Sequence, residues 1–315
     1  MTRENDTKSA SRPTGLFYAL SAYIWWGFAP VYFHAFMRVP PFVVLGHRVV
    51  WSVALLVLLI SFERQWPDVR RVIRDRSLRP VLAASTVLIA INWLVFIYAV
   101  GTDRIVESSL GFFLNPLVTV VLGMVFLGER LRPMQWCAAF IAAAGLAYLT
   151  IARGGLPWIT ITLSLCFAIY SLLRKKAPVA PMTGVFVETA ILFPASFAFL
   201  LWAHTRGSAH AFNTPLTLGL LSLAGIVTTV PMLWFIAASR RMPLVTLGFL
   251  QFINPTIQFV VGVVIFHEAF DRDRLIAFSI VWIGVILFVL DLVRRSARAI
   301  SQSDVAAVTV MAEPE

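Results

Sequence analysis

NPLVTVVLGMVFLGE occupies residues 115–129, and NPTIQFVVGVVIFHE occupies 254–268. Asn115-Pro116 aligns with Asn254-Pro255, Gly123 with Gly262 and Glu129 with Glu268, each pair 139 residues apart. The same offset relates Phe113 to Phe252 and Gly145 to Gly284. Upstream it relates Leu94, Phe96 and Ala99 to Leu233, Phe235 and Ala238. A spacing kept from Leu94 to Gly145 reads as an internal duplication rather than chance likeness between apolar segments.

The surrounding composition says where such a duplication lives. Of 315 residues, 59% are hydrophobic and only 13% are charged, with mean hydropathy +0.83. Soluble domains carry about 25% charged residues, so the excess apolar surface requires lipid and the chain reads as an integral membrane protein. The net charge of +10 lies between apolar runs, which makes it a topology signal rather than a nucleic-acid footprint. Cys137 and Cys166 both fall inside apolar segments and read as structural thiols. No CxxC, HExxH or GxGxxG motif stands out, and no metal or cofactor is expected. The polar residues through Arg12-Pro13 read as disordered. The first apolar run is too long for a signal-peptide core and reads as a retained helix.

A bilayer core takes about 20 apolar residues per helix. That rule predicts ten spans, near 15–35, 42–62, 80–100, 105–127, 133–152, 157–173, 182–202, 216–238, 245–266 and 274–293. Their brief connections leave no room for a sizeable soluble domain. With a cytoplasmic N-terminus, 19 of the 26 Lys and Arg fall on the cytoplasmic side, notably Arg64 to Arg79, Arg174-Lys175-Lys176 and Arg294-Arg295. Six fall outside, at Arg38, Arg104, Arg153, Arg206, Arg272 and Arg274, and Arg48 lies within a span. This is the positive-inside asymmetry, and it places both termini in the cytoplasm. Ten spans in two repeats give an odd five per repeat, so the halves are inverted. The expected fold is therefore all-α integral membrane, with ten transmembrane helices in two inverted five-helix repeats. Tails at 1–14 and 294–315 flank repeats at 15–152 and 157–293. Inverted repeats are a common plan for secondary transporters, in which one half rocks against the other.

Several stretches carry a family likeness. Tyr23-Ile-Trp-Trp-Gly-Phe-Ala-Pro30, Gly46-His-Arg-Val-Val-Trp51, Asn92-Trp-Leu-Val-Phe-Ile97 and Ser109-Leu-Gly-Phe-Phe-Leu-Asn-Pro116 resemble the RarD branch of the EamA-type drug/metabolite transporters. So do Leu127-Gly-Glu-Arg130, Arg174-Lys-Lys176 and Gly225-Ile-Val-Thr-Thr-Val-Pro231. The likeness runs in order from about residue 14 to 295. It implies a ten-helix exporter fold with a central cavity in the bacterial inner membrane. Two departures stand out. Phe266-His267-Glu268 stands where a Gly often precedes the Glu, and Tyr170-Ser171 where the family favours an aromatic followed by Gly; both bear on packing at a gate.

A charge at mid-membrane costs at least about 2.5 kcal/mol, so each one needs a reason. His47 and Arg48 lie about 8–10 Å below the outer surface at 1.5 Å per residue. They read as a cationic binding element facing the cavity, or as an Arg snorkelling to the headgroups. His47 titrates near neutral pH in isolation and is also a proton-coupling candidate. Glu188, in the inner third of the seventh span, is either a proton carrier or a partner for Arg174, Lys175 or Lys176. Glu107, at the start of the fourth span, is a proton candidate or a helix-end residue held by the N-terminal dipole. Glu129 and Glu268 read as structural. Asn115 and Asn254 precede prolines at mid-span, where paired helix breaks mark a transporter's binding site or a structural kink. Asn92, Trp93, Tyr98, Gln251 and Gln258 are further candidates to line the path. Trp25, Trp26 and Tyr170 are candidates to stack on an aromatic ligand, or else interfacial anchors. Arg48 and Glu188 are predicted toward opposite faces.

These readings converge on a secondary active transporter. It would export a small amphipathic or aromatic metabolite or drug by alternating access, with substrate, membrane lipid and protons as partners and no nucleic acid. Import or facilitated diffusion on the same fold is the alternative within transport. A membrane enzyme would need ligands or a nucleophile–base set at one depth, whereas His34, His47, His204, His210 and His267 scatter. A non-transporting membrane scaffold is the remaining rival.

Overall fold

The computed structural model describes the backbone of residues 3–36, 39–101, 105–152, 154, 158–205 and 214–265, and of single positions and short stretches between 272 and 294. Within these, the side chains of 3–13, 100–101, 105–110, 259, 262 and 263 are not described. Among the described residues there is no strand; helical backbone occurs at 279–291, and before it run α1 Arg3–His34, α2 Pro41–Phe62, α3 Trp66–Arg74, α4 Leu78–Gly101, α5 Ile105–Leu127, α6 Pro133–Ala152, α7 Trp158–Lys176, α8 Pro181–Thr205, α9 Pro215–Arg241, α10 Leu244–Leu250 and α11 Ile253–Val264.

Seven of these are long and apolar enough to cross a membrane, within α1, α2, α4, α6, α7, α8 and α9. Phe62, Ile151 and Leu216 are each more than 70% exposed on them, a disposition that lipid satisfies and water does not. The chain is thus an all-α, multi-pass membrane protein. The other three expected spans fall on shorter apolar pieces: Gly111–Leu127 of α5, the α10–α11 pair, and Leu275–Asp291.

Three local features depart from the sequence expectation. Helix α1 starts at Arg3 rather than near residue 15, so the polar stretch read as disordered continues the first helix. The basic segment after α2 folds as α3, with Pro67 in its first turn. Val69 and Val72, one turn apart, are buried, and Trp66 meets Phe186 of α8 edge-on at 5.6 Å. The Asp75 carboxylate closes this segment by accepting from Ser77 Oγ (2.6 Å) and Ser77 N (2.9 Å), which hold it below the usual carboxylate range. The ninth span divides at Gln251-Phe252. Pro255 consequently sits in the first turn of α11, where a missing N–H costs nothing, whereas Pro116 lies inside α5. The two Asn-Pro pairs are alike in sequence and unlike in helix position.

The chain divides into two compact units, Met1–Glu129 with Leu156–Ala269, and Arg130–Gly155 with Phe270–Glu315. In the first, α1 packs on α9 and α11, α2 on α8 and α9, α4 on α7 and α8, and α5 on α7 and α10. Tyr23, Leu56, Ile60, Ile89, Tyr170 and Phe235 are among the buried centre of that packing. In the second, α6 meets Leu275–Asp291 through small residues. A Cβ on Gly145 would come within 2.9 Å of the Ala277 carbonyl, and one on Gly284 within 2.7 Å of the Ala138 carbonyl. Tyr148 donates to Asp273 (2.8 Å) and Gln135 to Asp291 (3.2 Å).

Glu129 has a definite structural role. The chain leaves α5 through Gly128, whose φ of +64° suits glycine. The Glu129 carboxylate then accepts from Leu244 N at 2.8 Å and Val245 N at 2.7 Å, capping α10, with Lys175 Nζ at 3.5 Å. Lys175 also donates to the Met242 carbonyl at 2.6 Å. Glu129→Ala leaves those amides unmet and is expected to cost about 1–3 kcal/mol. The loss would be read as a lower unfolding midpoint of the purified protein, with Glu129→Gln intermediate.

Candidate functional site

Four helices of the first unit converge on one small cavity. Ser52 comes from α2. Ile89 and Trp93, four apart, come from α4. Val185, Glu188, Thr189 and Leu192 form a single stripe of α8, and Thr228, Thr229 and Met232 come from α9. About 10 Å³ is open to the centre of a water molecule, room for about one water. No metabolite fits without the helices moving apart.

Arg48 is held beside this cavity by two of its lining residues. Its Nε donates to Thr228 Oγ1 at 3.0 Å, and its guanidinium lies 4.7 Å from the Trp93 ring centroid and 5.2 Å from that of Phe33. It is only 8% exposed, so it does not reach out to headgroups. His47 diverges from it. Adjacent helical residues are about 100° apart, and His47 accepts from Trp51 on the half-exposed face of α2. The sequence pair is therefore not a structural pair.

Glu188 is buried in the cavity wall, and both its oxygens are engaged. Oε1 accepts from Ser85 Oγ at 2.5 Å and lies 3.5 Å from Arg174 Nε; Oε2 accepts from Tyr170 OH at 3.1 Å. Arg174, expected among the cationic residues at the inner surface, is fully buried. It lies one turn after Tyr170 on α7, and Gly184 of α8 leaves the space that its guanidinium fills. Its Nη2 reaches the Pro181 carbonyl at 3.5 Å, while Nε and Nη1 have no aligned hydrogen-bond acceptor. Ser52 Oγ and Thr229 Oγ1 are likewise buried without hydrogen-bond partners.

The other candidates lie elsewhere. Asn92 is spent on a helix tie, donating to the Leu163 carbonyl at 2.9 Å. Asn115 accepts from Thr119 (3.3 Å), and Asn254 from Gln258 (2.9 Å); both are buried, and neither lines the cavity. Gln251 is buried at the α10–α11 break. Trp26 packs with Tyr23, Phe167 and Phe235 at ring distances of 5.6–6.1 Å. Trp25 donates at 3.2 Å to the Val227 carbonyl, which Pro231 leaves without its helical donor. Tyr98 is exposed. The Glu107 side chain lies outside the described residues, as do His267 and Glu268. Sequence reasoning passed over Ser52, Ser85, Thr228 and Thr229. The signal for Ser52 was its place one turn beyond Arg48; that for the threonines was their place just before Pro231.

Residues 13–151 match the EamA-like transporter family. The chain is 42% identical over 285 residues to Protein RarD of Escherichia coli (strain K12), covering 90% of this chain and 96% of that one. It is 42% identical over 278 residues to an uncharacterized transporter of Vibrio cholerae, covering 88% and 92%. A crystal structure at 18% identity superposes with a TM-score of 0.66 over 88% of this chain and 98% of the other, a likeness of fold.

Proposed function

The chain belongs to the RarD branch of the EamA-like transporters, and we propose that it is a secondary active exporter of a small amphipathic or aromatic metabolite or drug. It works by alternating access in the bacterial inner membrane, with both termini in the cytoplasm. The observation that carries this reading is the reciprocity of helix packing. Exchange of halves relates α1 to α7, α2 to α8, α4 to α9, α5 to α10–α11, and α6 to Leu275–Asp291. The packing of α1 on α9 is then matched by α7 on α4, that of α2 on α9 by α8 on α4, and that of α1 on α11 by α7 on α5. Gly145 against Ala277 is matched by Gly284 against Ala138, at the same 139-residue offset. Such reciprocity supports two five-helix repeats, 15–152 and 157–293. Five being odd, they run in opposite directions and allow two states of similar energy facing opposite sides.

In this reading the cavity is the transport site in a collapsed state. Arg48 and the hydroxyls of Ser52 and Thr229 hold polar groups, and Trp93 holds an apolar body. The energy source is the proton gradient, with Glu188 as the carrier: a proton taken by Glu188 displaces Arg174 and loosens α8 from α7. Proteoliposomes loaded with candidate metabolites test both parts. Protein-dependent counterflow of an unmodified solute is expected. Glu188→Gln should keep counterflow and lose at least tenfold of the flux driven by an imposed pH gradient. Equal pH-driven flux in both proteins would remove Glu188 from coupling, and no counterflow of any solute would remove the transport reading itself.

A further inference from the structure

Arg48 is a buried cation to which no carboxylate is paired among the described residues. Its Nε is used by Thr228, and its faces by Phe33 and Trp93. The two Nη groups carry four donors beyond these contacts. Glu188, the one charged side chain in the described lining of the cavity, is offset by Arg174 at 3.5 Å. With Glu188 ionised and offset by Arg174, the Arg48 guanidinium, held beside the cavity by Thr228 and Trp93 of its lining, is left without a matching negative charge among the described residues. Leaving a buried charge unpaired is among the costliest arrangements in a protein interior. Two further groups point the same way. Ser52, one turn after Arg48 on α2, and Thr229, next to the threonine that accepts from Arg48, line the same cavity with buried hydroxyls that lack partners.

We infer that the transported species is a small organic monoanion, a carboxylate on an aromatic or apolar body, whose oxygens are bound by the Arg48 Nη groups with the Ser52 and Thr229 hydroxyls. The inference rests on the cavity being the transport site. A guanidinium fork matches the two oxygens of one carboxylate, and one unmatched charge calls for one negative charge rather than a dianion. A zwitterion fits less well. Its ammonium would need a free carboxylate, and both oxygens of Glu188 are engaged by Ser85, Tyr170 and Arg174. The body of the ligand would lie against Trp93, Ile89, Leu192 and Met232. A monoanion leaving a negative-inside cell also moves with the membrane potential, by about 50-fold per 100 mV.

The test uses the purified full chain and four probes of nearly one shape: 3-phenylpropionate (anion), 3-phenylpropanamide (neutral), phenylalanine (zwitterion) and phenethylamine (cation). Calorimetric titration in detergent is expected to show 3-phenylpropionate binding at least tenfold more tightly than the others. Arg48→Gln should abolish that preference, Arg48→Lys should keep it at reduced affinity, and Thr229→Val should weaken the anion severalfold. In proteoliposomes a potassium diffusion potential should drive 3-phenylpropionate toward the positive side, with a dependence one charge steeper than that of the amide. Equal binding of acid and amide, or a preference unchanged in Arg48→Gln, overturns the inference while counterflow of any probe keeps the transport reading. Arg48-dependent binding of phosphatidylglycerol with no binding of 3-phenylpropionate assigns the site to a lipid phosphate and also overturns it. Flux of no probe above protein-free vesicles removes the transport reading along with it.

Discussion

Arg174→Ala is expected to destabilise the protein by about 3–5 kcal/mol, because it strips a buried carboxylate of its counter-charge. The Arg174 side chain is fully buried and that of Glu188 is 3% exposed, so water cannot replace the lost partner. Ser85 and Tyr170 still donate to Glu188, but neutral hydroxyls do not cancel its charge. The void left beside Gly184 adds a cavity cost of the same sign. The double variant Arg174→Met with Glu188→Leu removes both charges and fills most of the volume. It is expected to recover most of the loss, because a buried ion pair with unaligned donors is a poor net stabiliser. Unfolding of the purified protein in graded SDS or urea measures both. A single variant within about 1 kcal/mol of wild type, or a double variant as unstable as the single, would show that the pair does not hold α7 to α8.

Gly225→Ala should be as damaging in proportion to its size, and Gly219→Ala on the same helix should do the opposite. Alanine in place of glycine in a helix interior gains about 1 kcal/mol. At Gly219 no atom of another described segment lies within 4 Å of the new Cβ, so that gain is expected in full. At Gly225 the Cβ would stand 2.5 Å from the carbonyl carbon and oxygen of Trp51, which are helix backbone and cannot rotate away. α2 must then move off α9, where Arg48 is bonded to Thr228. Overpacking of this kind costs about 1–3 kcal/mol or more, so the net sign is destabilising. Binding at the cavity should weaken with it. Paired melting curves decide the matter, and a stabilised Gly225→Ala would sink the claim that this contact sets the α2–α9 distance.

The apolar runs, the repeated Asn-Pro-to-Glu stretch and the RarD-like motifs carry the class and family of this protein without coordinates. Hydrophobic length and motif order are properties of the chain itself. So is the chemistry of Arg48 and Glu188, since any charge in a long apolar run must be accounted for. The sequence offered Arg174, Lys175 and Lys176 as partners for Glu188, and tertiary packing decided that Arg174 meets it. Arg174 follows an apolar helix and precedes two lysines, a pattern that reads as surface; it is buried because Gly184, on the next helix, leaves it space beside Glu188. His47 and Arg48 are neighbours in sequence and point apart because a helix turns about 100° per residue. Asn92 spends its amide on the Leu163 carbonyl, a contact 71 residues away that no local pattern records. Glu188 lines one cavity and Arg48 lies beside it because α2, α4, α8 and α9 pack together, and among the described residues that packing brings no carboxylate to Arg48.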